Sequence, residues 1–326
     1  MAFKIDLGEK FGCIALVNVW REKSLIEPVD LGGGLWAVFE PPLQLADYWE
    51  KWIGSISVDH LKRANLFLFA KAASKAPAIL DEENEALVKK VSYFFYGLLL
   101  FGIPQYERGF HFNGANESGK PEVRQFGELD EYRQTVGNER LSEVGLDTLK
   151  SAAASAQTIR KIADREMSER LNRGFASLLR AVQELEGGER LHQYVRALEA
   201  VVHPGIAKST KQFVHRCLTF VGVDGSRMEK AREALKDAYE IRSQVEHQNG
   251  WEAALDGYPA GDREHVAKLR LRQAEGLALS VYRKITISSG LSAHFQSDSS
   301  LDGFWQFDDG HRRSQWSDPF DICSVV

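Results

Sequence analysis

The pattern of apolar and polar positions changes character along the chain. Residues 1 to about 45 are predicted to form short β-strands, because the apolar runs at residues 11–20 and 33–42 are bounded by glycine and proline. The run Gly32-Gly33-Gly34 is predicted to be a turn. Helical patterning begins near Leu43, and a helix is predicted over residues 81–100, where acidic residues fill the first turn and an apolar face follows.

The middle of the chain divides into a polar segment and a long helical region. Residues 104–131 are polar and rich in glycine, which predicts a domain boundary or a long ordered loop. From about residue 145 to 288, apolar residues recur with the helical period and predict five helices in an antiparallel bundle. One predicted helix has an apolar stripe and is expected to stop at Gly187-Gly188. The stripe is formed by Leu171, Phe175, Leu178, Leu179, Val182 and Leu185. Capping boxes at Ser209 and Ser226, and a cap at Asp262, predict later helix starts.

The C-terminal segment, residues 289–326, is rich in serine and aromatic residues and has six Asp against two Arg. It could pack as an arm on its own domain or on a partner, but a loosely docked tail is the favoured interpretation. The fold class predicted for the 326 residues is α+β. It comprises a mixed α/β region over residues 1–140 with a sensor or regulatory role, a helical bundle over 141–288, and an acidic, aromatic tail over 289–326.

Composition narrows the classes of protein to consider. With 44% hydrophobic and 27% charged residues, the chain is typical of a globular protein. A net charge of −5 gives no overall electrostatic signature of nucleic-acid binding, although local basic patches stay open. Cys13, Cys217 and Cys323 include no C-x-x-C spacing, so we expect no disulfide framework and no metal site. No signal peptide or membrane-spanning stretch is found, which predicts a cytoplasmic protein without membrane contact.

One motif carries candidate chemistry. Arg242 and His247 have the form R-x4-H at the end of a predicted helix that is followed by Asn249-Gly250. A second pair, Arg196 and His203, matches the wider form R-x4-6-H and is interpreted as helix packing and termination at Pro204. Together with the segments at residues 190–202, 211–222 and 238–250, the motif resembles the HEPN superfamily (higher eukaryote and prokaryote nucleotide-binding), and within it the Apea-like branch. The resemblance covers about residues 145–288.

The resemblance implies a metal-independent endoribonuclease that acts as a homodimer, as in toxins or anti-phage defence effectors. It implies that His247 is a general acid or base and that Arg242 holds the scissile phosphate, with Ser243, Glu246 and Asn249 in support. These residue types suit the reaction, because histidine titrates near neutrality and the arginine fork matches phosphate geometry. RNA, a second copy and a regulatory protein are the expected partners, and no cofactor or metal is expected.

The same residues allow a non-catalytic alternative, a HEPN scaffold or a protein-interaction or regulatory module. Arg242 and Glu246, at i and i+4, could form a surface ion pair. Arg242 and His247 lie about 140° apart on an ideal helix, so they converge only at a helix end or with a partner protomer. A weaker option, a nucleotide-binding regulator, lacks any phosphate-loop motif. A patch of four basic residues in this region could face RNA, although a solvated helix face explains it equally well. The four are Arg216, Arg227, Lys230 and Arg232.

Overall fold

The computed structural model describes residues 3–43, 47–74, 81–102, 109–130, 143–204, 209–222 and 224–325. The chain divides into two compact units, Met1–Glu131 with Arg140–Arg160 and Tyr132–Glu139 with Lys161–Val326. We call them the sheet unit and the helical unit. The predicted domain boundary after residue 140 therefore lies earlier in the chain than the division after Arg160.

The sheet unit contains a six-stranded antiparallel sheet with the strand order β2-β3-β4-β1-β5-β6. Its strands are β1 Glu9–Val17, β2 Val29–Gly32, β3 Leu35–Val38, β4 Ala64–Ala73, β5 Phe110–Ala115 and β6 Glu122–Glu128. The central strands β1 and β4 are buried on both faces over most of their length. Their sequences are therefore continuous apolar runs without polar alternation.

The sequence predictions for this sheet hold in part. The early apolar runs form β1 and β3, and the predicted glycine turn joins β2 to β3 with φ of 83°, 60° and 80° at Gly32, Gly33 and Gly34. A side chain at Gly34 would also bring its Cβ within 2.4 Å of the Lys71 carbonyl oxygen. Residues 110–128 form the hairpin β5–β6, so the interpretation of residues 104–131 as a boundary or loop was wrong for this stretch. Its polar residues alternate with Phe110, Phe112 and Val123, which are buried in the core.

The first helices of the sheet unit are α1 Asp47–Lys62 and α2 Glu82–Leu99. The predicted acidic start of α2 is present, and Asp81 caps it by accepting the backbone N–H groups of Glu83 and Asn84. The Lys10 ammonium, from β1, is buried and forms ion pairs with Asp81 and Glu83. The Lys10 ammonium also donates a hydrogen bond to Asp81, and this bond lowers the pKa of the Asp81 carboxyl.

The C-terminal half of the chain is helical, as predicted. Its helices are α3 Leu146–Ala163, α4 Glu169–Gln183, α5 Gly187–Val202, α6 Ser209–Cys217, α7 Gly225–Glu246, α8 Arg263–Ile287, α9 Ser289–Ala293, α10 Asp298–Gln306 and α11 Asp309–Trp316, with 3-10 helices at Trp251–Leu255 and Ile322–Ser324. Up to Arg160, α3 belongs to the sheet unit. In the helical unit, α5 contacts α4, α6, α7 and α8. Its central place explains why most of its residues are buried.

Helix ends are where the predictions depart from the structure. The predicted apolar stripe is buried at Leu171, Phe175, Leu178 and Val182 and half-buried at Leu179, but α4 ends at Gln183 and Leu185 is 67% exposed. Gly187 begins α5 and does not stop α4, because the Glu186 carboxylate caps α5 by accepting two backbone N–H groups. The N-cap of α7 is Asp224, two residues before the predicted Ser226, and α8 begins after Asp262 as predicted. Helix α6 begins at Ser209 itself, the residue predicted to cap it, and residues 205–208 before it lie outside the described ranges.

The C-terminal segment is an integral part of the helical unit, so the interpretation as a loosely docked tail was wrong. Trp316 is 1% exposed and its ring centroid lies 4.2 Å from that of Phe220. The Trp305 indole donates a hydrogen bond of 2.8 Å to the Val201 carbonyl. Acidic residues of the segment form ion pairs with arginines, Asp302 with Arg170 and Asp321 with Arg227. They also form hydrogen bonds with histidines, Asp302 with His203 and Asp309 with His215. Aromatic burial and charge complementarity thus fix the segment.

The three cysteines are free thiols that differ in burial. Cys13 and Cys217 are buried free thiols, and burial raises the pKa of both well above the usual value. Cys323 is half-buried and also free. In the part of the chain that the structure describes, no helix is both long enough and apolar enough to cross a bilayer.

Candidate functional site

The R-x4-H motif lies at the C-terminal end of α7. Arg242 is within the last two turns, and His247 is the C-cap residue, with φ −90° and ψ 15°. The chain then turns at Gln248, whose φ of 61° is left-handed, and enters the 3-10 helix at Trp251. The helix therefore ends where predicted, but Gln248 makes the turn and the expected stop, Gly250, has an ordinary φ of −60°.

The Arg242 guanidinium lies between two carboxylates. Its Nη2 is 3.2 Å from Glu199 Oε2 of α5, and its Nη1 forms a hydrogen bond and ion pair with Glu246 of the same helix. The side chain is 17% exposed, and its Cζ stands 5.9 Å from the ring centroid of Tyr239. The predicted ion pair with Glu246 is thus present, together with a contact to Glu199 that connects α7 to α5.

Sequence reasoning missed Glu199. This residue lies near the end of α5 among buried apolar neighbours, Ala197, Leu198, Val201 and Val202. A single carboxylate in an otherwise apolar stretch is the signal that could have indicated it, because a charge there needs a partner. The partner, Arg242, is 43 residues further along the chain, and only the packing of α7 against α5 brings the two together.

His247 has a different environment from Arg242. Its side chain is exposed, and among the described residues none forms a hydrogen bond or ion pair with its ring. Its backbone N–H donates to the Gln244 carbonyl at 3.1 Å, which closes the last turn of α7. Because Arg242 faces α5 while His247 points into solvent at the helix end, one chain does not place the two side chains on a common face.

The supporting residues of the motif contribute to the helix end. The Asn249 amide donates to Gln244 Oε1 at 2.7 Å, and the Asn249 backbone N–H donates to the Gln244 carbonyl at 3.0 Å. The Ser243 carbonyl accepts the His247 backbone N–H at 3.3 Å. These contacts hold the backbone around His247 and leave its imidazole open.

The predicted basic patch is only partly available. Arg216 donates to the carbonyls of Val202 and His203 and stacks over Trp305, so its charge is directed into the helical unit. Burial is the main cause that lowers the pKa of Arg216, and the nearby charge of Arg312 lowers it further. Arg227 forms hydrogen bonds with both carboxylate oxygens of Asp321. Lys230 and Arg232 are exposed on α7, where Arg232 lies 3.5 Å from Glu229.

A groove of about 1180 Å³ lies on the helical unit between α6, α7 and the 3-10 helix after α7. The cations and anions that line it alternate along α7, and they include Arg232, Glu233, Lys236, Asp237 and Glu240. The hydroxyl of Tyr258 donates to Glu233 and Asp237, and burial together with these bonds raises the pKa of Tyr258 to about 12. The groove is therefore lined by charges of both signs in nearly equal number.

Comparisons with protein-family models, with curated proteins and with solved structures found no match for this chain. Within the described residues, no three side chains of His, Cys, Asp or Glu are grouped so that they could hold a metal ion. What the site can do must therefore be argued from its own geometry.

Proposed function

We propose that the helical unit is a HEPN-like, metal-independent endoribonuclease that acts as a homodimer in the cytoplasm. The observation that carries the proposal is the end of α7, where a carboxylate of another helix orients Arg242 and the exposed imidazole of His247 has no hydrogen-bond partner among the described residues. A histidine for proton transfer and an oriented guanidinium for phosphate are the groups that RNA cleavage without metal requires.

The reaction uses the nucleophile that RNA itself carries. One imidazole removes the proton of a 2′-hydroxyl, and the oxygen attacks the adjacent phosphorus. The bond to the 5′-oxygen breaks, and a second imidazole donates the proton that this leaving group takes up. The products are a 2′,3′-cyclic phosphate and a 5′-hydroxyl. Two protomers, each with one His247, supply both imidazoles, and Arg242 stabilises the charge on the phosphate oxygens.

The two ion pairs of Arg242 affect how available its charge is to a phosphate. One guanidinium faces the two carboxylates of Glu199 and Glu246, which weakens its attraction for a phosphate. Glu246 is the last residue of α7 and its side chain is 48% exposed, so it can move away at little cost. A toxin or anti-phage effector that is kept inactive until triggered would have this property.

Replacing His247 by alanine is expected to reduce RNA cleavage by about 10²–10⁴-fold, because proton transfer by a positioned side chain contributes that much. Arg242→Ala is expected to reduce it as well, through loss of the phosphate contact. Cleavage of a labelled RNA by the purified full chain, with the chelator EDTA present, measures both effects. His265→Ala, at another exposed histidine of the helical unit, is the matched control and should cleave like the parent. Equal cleavage by all the variants would remove the catalytic assignment.

Glu246→Gln is expected to raise the affinity for RNA and the cleavage rate by up to about fivefold, since an exposed ion pair is worth up to about 1 kcal/mol. The substitution keeps the volume of the side chain and frees one edge of Arg242. Glu240→Gln is the control, because it removes the comparable i, i+4 pair with Lys236 on the same helix without touching Arg242. Fluorescence anisotropy with a labelled RNA, on chains that also contain His247→Ala, measures affinity without cleavage. A Glu246→Gln chain that binds no better than Glu240→Gln argues against a phosphate role for Arg242.

A second candidate is a non-catalytic scaffold or regulatory module of the same superfamily. The double ion pair of Arg242 favours it, because a guanidinium bound on two sides also serves to hold α7 against α5. The balanced charges of the groove suit a protein surface as partner. This candidate predicts no RNA cleavage by the parent chain, and it predicts that Arg242→Ala lowers the stability of the helical unit.

A further inference from the structure

Tyr239 of α7 lies next to the arginine of the candidate site. It is buried, and its ring packs against that of Phe213 of α6, with 4.8 Å between the ring centroids. The Arg242 Cζ atom lies 5.9 Å from the centroid of the same ring. Tyr239 therefore contacts both α6 and the guanidinium that we propose as the phosphate-binding group.

The Tyr239 hydroxyl belongs to a chain of hydrogen bonds that ends at Arg242. It accepts a hydrogen bond from the hydroxyl of Ser209, the first residue of α6, and donates one to the Glu199 carboxylate of α5. Glu199 Oε2 in turn lies 3.2 Å from Arg242 Nη2. Burial raises the pKa of Tyr239, so its hydroxyl stays protonated and remains a donor to Glu199. Residues of three helices are thus connected to one guanidinium.

The hydroxyl affects both the orientation of Glu199 and the charge that this residue presents to Arg242. A carboxylate that accepts from a tyrosine as well as from an arginine has fewer orientations than one that the arginine alone holds. Glu199 is only 18% exposed, so water has limited access to take over the bond from the hydroxyl. Hydrogen bonds in such a chain polarise one another, so the hydroxyl takes up part of the negative charge that otherwise falls on the guanidinium. Arg242 then keeps more of its attraction for a phosphate.

We propose that Tyr239 is a positioning residue that holds the Arg242 guanidinium in place through Glu199. The inference rests on the proposed nuclease function and adds to it a residue outside the R-x4-H motif. In that function the hydroxyl sets the arginine for the phosphate group of the RNA. Tyr239 precedes Arg242 by three positions on α7, which places both on the face of the helix that meets Glu199 of α5.

Tyr239→Phe tests the proposal on the full chain, because it removes the hydroxyl and keeps the ring. In a chain that also contains His247→Ala, fluorescence anisotropy is expected to show a loss of affinity for a labelled RNA of about three- to tenfold, the effect of one hydrogen bond. The loss should disappear in a chain that already contains Glu199→Ala, because the hydroxyl acts through that carboxylate. Tyr282→Phe is the matched control and should bind RNA like the parent. It removes another buried hydroxyl of the helical unit, which donates to the Ala197 carbonyl at 3.0 Å.

A second measurement needs no RNA and separates this inference from the nuclease proposal. NMR of chains labelled with ¹⁵N-arginine follows the rotation of the guanidinium nitrogens, which is slow while partners hold them, and Arg242→Lys identifies the signals of Arg242. Tyr239→Phe and Glu199→Ala are each expected to speed this rotation by about twofold or more, whereas Tyr282→Phe leaves it unchanged.

The outcomes distinguish the two proposals. Unchanged rotation in Tyr239→Phe overturns the positioning role, and so does a loss of RNA affinity that is equally large with and without the Glu199 carboxylate. Faster rotation with undiminished RNA affinity also overturns it, because the hydroxyl would then fix the arginine without any effect on phosphate binding. If the parent chain itself binds no RNA, the nuclease proposal fails, and the rotation alone decides whether Tyr239 positions Arg242.

Discussion

Replacing Glu275 by leucine is expected to lower the free energy of unfolding of the helical unit by about 3–5 kcal/mol. Glu275 is fully buried on α8, with Arg190 Nη2 at 3.5 Å and the Tyr194 hydroxyl donating to it at 2.9 Å. Burial raises the pKa of Tyr194 well above its usual value, so its hydroxyl stays protonated as a donor. The substitution leaves the Arg190 guanidinium, 7% exposed, without this carboxylate. Amide hydrogen exchange of α5 and α8 measures the loss of stability of the helical unit separately from that of the sheet unit.

The double variant Arg190→Met/Glu275→Leu is the informative control. Apolar groups of similar volume in place of both charges are expected to recover most of the lost stability, because neither charge is then buried at this contact. Glu275→Gln separates the two contributions, since it removes the charge but keeps an acceptor for Tyr194. A cost below about 1 kcal/mol for Glu275→Leu would mean that this network does not stabilise the contact of α5 with α8.

Local periodicity was enough to predict most of the helical unit. Leu171 and Phe175 are buried as expected, because a helix of period 3.6 places such residues on one side whatever packs against them. The ion pair of Arg242 with Glu246 is local in the same sense. Contacts between distant segments had no such signal, because Glu199 and Arg242, or Arg190 and Glu275, meet only through tertiary packing.

The sheet was harder to predict for a physical reason. Strand β4 pairs with β1 and β3, and its residues Leu66 to Ala70 are buried on both faces, so it shows no alternation by which to tell it from a buried helix. In β5 and β6 the polar residues Asn113 and Gln125 line a cavity between the sheet and α2. Their polarity favoured a loop in the sequence, although the other face of the hairpin is part of the core.

The C-terminal segment was also difficult to predict from local pattern, because its composition resembles that of a solvated tail. Its helices α10 and α11 span 9 and 8 residues, too short to be stable alone in water. Their stability comes from aromatic side chains that enter the helical unit, and this contribution depends on the partner surface that α5 and the residues after α6 provide.

Trp316→Ala is therefore expected to lower the stability of the helical unit by about 3–5 kcal/mol, the range for removing a buried aromatic side chain. Trp316 packs on Phe220, and the Lys284 ammonium stands 5.7 Å from its ring centroid. The loss includes the ring burial and the cavity that remains beside Phe220. Hydrogen exchange should report the fastest opening in α11 and in the residues that follow it, since Phe320 pairs with the backbone at Phe220.

The control for this prediction is another tryptophan. Trp52 of α1 is 82% exposed, so Trp52→Ala is expected to change stability by no more than about 0.5 kcal/mol. Urea denaturation of the two variants beside the parent compares them directly, and Trp316→Phe should lie in between because it keeps a ring against Phe220. If Trp316→Ala were as stable as Trp52→Ala, the last helices would not contribute to the core, and a loosely docked tail would again be the better description. If it loses the expected stability, a chain shortened at residue 288 cannot test partner docking, because such a chain would lack part of its own core.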